Sequence, residues 1–198
     1  METRLDDTLA TPLSASARNR MLVLMALAAF ASAANLRVCD SLLPQIAREF
    51  SVSVGSASAV VTAFAVSYGV AQILLGPLGD ARGKIAVIIA GSLWVGLWTA
   101  GCAVMPGLVP LSIARFLSGA GAAAIIPLAI AWIGDVVPYD DRQPVLARFI
   151  SGQVLGIVFG LAVGGLLGDW LGWRVTLLAI SVMHVIGGAL IWLESRRS

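Results

Sequence analysis

Three charged side chains, Arg37, Asp40 and Arg115, stand inside otherwise apolar stretches of this 198-residue chain. An ionised group at that depth costs roughly 2.5–3.5 kcal/mol on insertion scales, so each needs a partner or a watery cavity. Arg37 and Asp40 are three residues apart, which places them on one helix face, with Pro44 continuing the stripe. Arg115 lies about six residues inside its own stretch, or roughly 9 Å at the helical rise. Asp40 is therefore expected within reach of both cations. The plainer alternative is that Arg37 and Asp40 neutralise each other at the membrane interface, with the arginine snorkelling toward headgroups. Enzyme chemistry is not indicated: the sequence offers no nucleophile–base pair, metal-ligand cluster or phosphate-cradling glycine loop. His184, alone in its stretch, reads as a packed, hydrogen-bonded ring and not as a proton relay. Cys39 and Cys102 read as small buried hydrophobes, and no metal or cofactor is called for.

The elements that must position these charges are set by composition. The chain is 59% hydrophobic and 12% charged, with a mean hydropathy of +0.92. That leaves too little polar surface to coat a soluble globule and describes an all-α integral membrane protein. The net charge of +2 comes from bases scattered among loops, which gives no nucleic-acid surface. Six stretches are long enough to span: 21–46, 54–76, 85–104, 109–133, 144–168 and 174–193. They are joined by breaker-rich turns, such as Met105-Pro106-Gly107 and the run from Pro138 to Pro144. A polar leader over 1–20 precedes a six-helix bundle over 21–194, and 195–198 reads as the start of a linker or a C-terminus.

Six spans place both termini on one side. That side then carries Arg4, Arg18, Arg20, Arg82, Lys84, Arg142, Arg148, Arg196 and Arg197, against Arg48 and Arg174 opposite. The base-rich side is expected to be cytoplasmic. An offset of 89 residues sets residues 76–83 over residues 165–172, and both read G-x-L-G-D-x-x-G. One turn follows span 2 and the other span 5, as in a 3+3 inverted repeat with the turns on opposite faces.

The run Gly76-Pro77-Leu78-Gly79-Asp80-Ala81-Arg82-Gly83-Lys84 resembles the loop between helices 2 and 3 of the major facilitator superfamily (MFS), with Ala81 where the family usually carries an arginine. The run from Arg115 to Ala123 resembles the span 4 motif of its proton-coupled carriers, an arginine followed four residues later by G-x-G-A-A. In span 5, Gly152, Gly156, Gly160 and Gly164 recur every fourth residue with Gly165 adjoining, similar to the antiporter signature but with Leu161 in place of its proline. Gly172-Trp173-Arg174 matches the family's G-W-R before span 6, and Asp135 with Arg142 resembles its second charged cytoplasmic element.

The resemblance implies one MFS half-bundle that moves a small molecule by alternating access, with proton-coupled efflux (antiport) as the expected mode. It makes Asp40 the protonatable group with Arg115 as its charge partner. It makes Gly76, Asp80, Gly83 and Lys84 a gating loop, in which Asp80 holds neighbouring helix ends. The glycine stripe would pack between two transporter halves, although close packing within one bundle accounts for it as well. Asn35, Tyr68, Gln72 and Gln153 could touch substrate or simply bond between helices. The expected partners are a small-molecule substrate, protons, the lipid bilayer, and a C-terminal six-helix half or a second copy. The expected location is a cell membrane, of bacterial inner-membrane type, with both termini cytoplasmic. The contrasting possibility is a six-helix binding or sensor protein, or a partner subunit, without transport of its own.

Overall fold

The computed structural model describes residues 14–197, so the expected leader with Arg4 lies largely outside the described residues. Eight helices follow one another: α1 (Ala15–Glu49), α2 (Val54–Ala57), α3 (Ala59–Arg82), α4 (Lys84–Cys102), α5 (Leu108–Ala122), α6 (Ile125–Val136), α7 (Tyr139–Leu171) and α8 (Trp173–Ser195). With α2–α3 and α5–α6 each taken together as one span, six are long and apolar enough to cross a bilayer, as expected.

Local chemistry explains most of the helix limits. Ser14 caps α1, its Oγ accepting from the Ala17 amide at 3.2 Å. The α5–α6 break at Ala123–Ala124 has a cause four residues on. Pro127 lacks the amide that would bond the Ala123 carbonyl, and its ring crowds that carbonyl. The chain there tightens to i→i−3 bonding, with the Ala124 amide on the Gly121 carbonyl at 3.2 Å. The joint expected over 138–144 is shorter than its two prolines suggested, because α7 starts at Tyr139 and runs through Pro144. Asp140 and Asp141 in that first turn suit the positive end of the helix dipole.

The packing is crosswise. Span 1 (α1) lies mainly on α7 and α8, whereas span 4 (α5–α6) lies mainly on α3 and α4, and α4 packs on α8 between the two groups. Exchanging spans 1–3 for spans 4–6 leaves this contact pattern unchanged, which is the signature of an inverted repeat. The joints after spans 2 and 5 also match: Gly83 (φ 88°) and Gly172 (φ 84°) each carry the chain directly from one helix into the next. Two apolar layers fill the interior. One holds Met21, Met25, Ile88, Trp132 and Phe149, and the other Leu42, Ile46, Leu111, Trp173 and Ile180. A bond between Arg20 and Glu194 ties the start of α1 to the end of α8, so both ends of the described chain share one face, here called the terminal face.

Candidate functional site

Arg115 is fully buried where the two apolar layers meet. One guanidinium nitrogen donates to Asn35 Oδ1 at 2.7 Å and the other to the Asn35 carbonyl at 3.2 Å. Asn35 Nδ2 donates to Thr99 Oγ1 at 3.1 Å, and Thr99 shares a hydrogen bond with Ser118 at 2.8 Å. Below the guanidinium lies the Phe64 ring, its centroid 4.1 Å from Cζ, and Tyr68 stacks on Phe64 at 6.2 Å. Spans 1 to 4 thus all contribute to one polar cluster in the middle of the bundle. No carboxylate pairs with Arg115 among the described residues, and its Nε has no hydrogen-bond partner there. Its charge is offset by one amide, one carbonyl and an aromatic face.

This departs from the expected Asp40–Arg115 pairing. Asp40 binds Arg37 at 3.1 Å on the outer surface of α1, with 26% of the Asp40 side chain exposed. The reason is rotational phase. Asn35 and Asp40 are five residues apart, which turns Asp40 about 140° away from the face that meets Arg115. Of the other expected cavity groups, Asn35 and Tyr68 join the Arg115 cluster. Gln72 is exposed on α3 and Gln153 half-buried on α7, and neither bonds Arg115. His184 is buried, with Nδ1 3.0 Å from the Ile180 carbonyl.

The expected loop at residues 76–84 is helical almost throughout: α3 runs through Gly76 and Asp80 to Arg82, Gly83 alone turns the chain, and Lys84 opens α4. The Lys84 ammonium lies 3.4 Å from Asp80 and 2.6 Å from Asp135 at the end of α6, so the turn after span 2 is tied to the end of span 4. Arg142 donates to the Val137 carbonyl at 2.9 Å and caps the end of α6. Gly76 has open space around it, whereas a methyl at Gly79 would run into Leu128.

The opposite face carries a counterpart that the sequence reading missed. There Glu49, at the end of span 1, accepts from Trp173 Nε1 at 2.6 Å and binds Arg174 at 2.6 Å. Gln45 donates to Asp169 at 3.2 Å. Arg174 also donates to the Ala103 carbonyl at 2.6 Å, which caps the end of α4. Each charged turn therefore binds the end of the long span from the other triplet.

The glycine stripe is covered within this chain by α1 and is not left bare for another bundle. A methyl at Gly156 or Gly160 would overlap the backbone of Phe30 or Ala34, and one at Gly164 would overlap Val38. Gly152 makes only ordinary contact with Ala26, and Gly165 faces open space. Gly168 continues the series against Leu42 and Gln45; its four-residue interval was legible, but the turn motif claimed it first.

Residues 25–198 match the family model described as the Major Facilitator Superfamily. The chain is 33% identical over 147 residues to the uncharacterized MFS-type transporter YwfA of Bacillus subtilis, covering 74% of this chain and 36% of that one. It is 32% identical over 164 residues to a chloramphenicol resistance protein of Streptomyces lividans, covering 81% and 41%. A bacterial homologue of the human lysosomal transporter Spinster, solved inward-facing and occupied, superposes with a TM-score of 0.82 at 20% identity, over 93% of this chain and 45% of that one. The chain thus spans less than half the length of these relatives. Sequence, helix order and crosswise packing agree, and the chain belongs to the major facilitator superfamily of membrane transporters.

Proposed function

We propose that this chain is one six-helix half of a carrier that moves a small molecule across a cell membrane by alternating access, exporting it in exchange for protons. The observation that carries this reading is Arg115, a fully buried cation held by span 1 without a carboxylate. Such a charge is costly to retain in a membrane bundle and is by default a functional group. Asp40, about 7.5 Å further along the same helix than Asn35, is the carboxylate that takes up and releases the proton. Its side chain is 26% exposed in this arrangement, where Arg37 is its partner.

A second six-helix bundle, from a longer chain or another copy, sits against spans 2 and 5. These are the two least buried spans, with 17% of each apolar window buried against 39% to 56% for the rest. They are also exchanged by the internal repeat, so one partner covers two equivalent faces. The base-rich terminal face is cytoplasmic by the positive-inside rule, in a membrane of bacterial inner-membrane type. Asp80, Lys84 and Asp135 form the cytoplasmic latch. A drug-sized substrate fits the name of the chloramphenicol resistance relative.

The test is drug counterflow in sealed vesicles holding the protein under an imposed pH gradient, with chloramphenicol as the first probe of a small-drug panel. Gradient-dependent movement of a probe, with matching proton flow in the other direction, supports the proposal. Probe binding without movement identifies a six-helix binding or sensor protein and overturns it.

A further inference from the structure

We propose that the seam between α1 and α8 at the terminal face is a binding site for one anionic phospholipid. Two hollows run end to end along this seam. The outer one, about 540 Å³, is lined by Arg20, Arg197, Asn19, Val23 and Leu193. The deeper one, about 230 Å³, is lined by Leu27, Phe30, Met183, Ile186 and Gly187. Leu24 and Leu190 line both, so the two form one groove. From Arg20 to Phe30 the groove follows ten residues of α1, about 15 Å, which is half of a typical hydrocarbon core.

The chemistry changes along its length. At the end of the bundle, where lipid headgroups lie, it presents two guanidinium groups. Arg20 is held by Glu194 at 2.8 Å and by Ser16 Oγ at 2.8 Å, while Arg197 is exposed. Among the described residues lining the mouth, two guanidinium groups face one carboxylate, that of Glu194. Deeper in, the lining is apolar and open outward, with Leu27 52% and Ile186 53% exposed. Gly187 has no atom within 4 Å of the position a Cβ would take, so the floor is hollow there. A phosphate at the mouth with an acyl chain running inward satisfies both halves. Basic pockets at the ends of spans recognise anionic headgroups in this way. A second copy placed symmetrically on the same patch would set these bases against their own images.

The test uses the full chain reconstituted in phosphatidylglycerol/phosphatidylcholine vesicles, with retained lipid read by native mass spectrometry after gentle extraction. Wild type is expected to keep phosphatidylglycerol in preference to phosphatidylcholine. Arg197→Ala, which breaks no hydrogen bond made by the Arg20–Glu194 pair, should lower that preference about fivefold, and adding Arg20→Ala should lower it about fivefold again. Arg20→Lys should keep most of it. Gly187→Leu adds bulk at the floor, where a Cβ meets no atom within 4 Å, and should reduce retention of either lipid. Arg196→Ala, whose guanidinium lies over Trp192 at 4.3 Å, serves as the control that leaves the preference unchanged. An unaltered preference in the double variant overturns the proposal. So does full retention in Gly187→Leu, displacement by glycerol 3-phosphate at the concentration of lipid, or a dimer mass that Gly187→Leu alone abolishes.

Discussion

Gly83 and Gly172 are one joint used twice: each has a positive φ, at 88° and 84°, each ends the same eight-residue motif, and each passes the chain straight into the next span. A side chain is strained in that conformation whatever space surrounds it. Gly83→Ala and Gly172→Ala should each lower stability by about 1–3 kcal/mol. Gly76→Ala, on the same motif but within α3 and in open space, should be neutral or slightly stabilising. Thermal unfolding of the four proteins in one detergent checks this, and equal melting temperatures would remove the special role of the joints.

The stripe on α7 permits a second comparison. Gly160→Ala forces its methyl into the Ala34 backbone and should cost about 1–3 kcal/mol. Gly165→Ala, with nothing within 4 Å, should not. If both behave alike, the close approach of α1 to α7 is not what those glycines provide.

Arg115 and Asn35 should behave as one unit. Asn35→Leu leaves the guanidinium buried with its main acceptor gone, at a cost of about 3–5 kcal/mol. Arg115→Met should cost much less, and the double variant should recover most of the Asn35→Leu loss, which a double-mutant cycle on unfolding midpoints measures. Additive effects would show the two to be independent.

At the terminal face, Lys84 and its two acids are open to solvent, so screening leaves the pairs little to contribute to stability. Their expected role is in switching. Lys84→Met and Asp80→Asn should therefore abolish counterflow while moving the melting temperature little. A large loss of stability with transport intact would reverse that assignment.

Six spans, their joints and the repeat were legible in the sequence because a bilayer demands long apolar runs and punctuates them with Gly, Pro and charge. The break at Ala123 was not foreseen, since span 4 reads as one apolar run over 109–133; its cause, Pro127, acts on a carbonyl four residues earlier. The partner of Arg115 was not legible either. Depth in the membrane can be counted from the end of a span to within a turn, and Asn35 and Asp40 both satisfy that count. What separates them is the angle at which α1 meets its neighbours, fixed by the seam in which Gly156, Gly160 and Gly164 receive the backbone of Phe30, Ala34 and Val38. Glu49 was missed for a similar reason: its partners Trp173 and Arg174 lie at the far end of the chain and reach it only through the crosswise packing.

Proton-coupled exchange is tested most directly by vesicles loaded with probe drug, with an external pH indicator, comparing wild type with Asp40→Asn and Arg115→Met. Wild type should exchange drug for protons in a fixed ratio, and both variants should bind drug yet move no protons. Undiminished proton flow in Asp40→Asn would contradict the central claim.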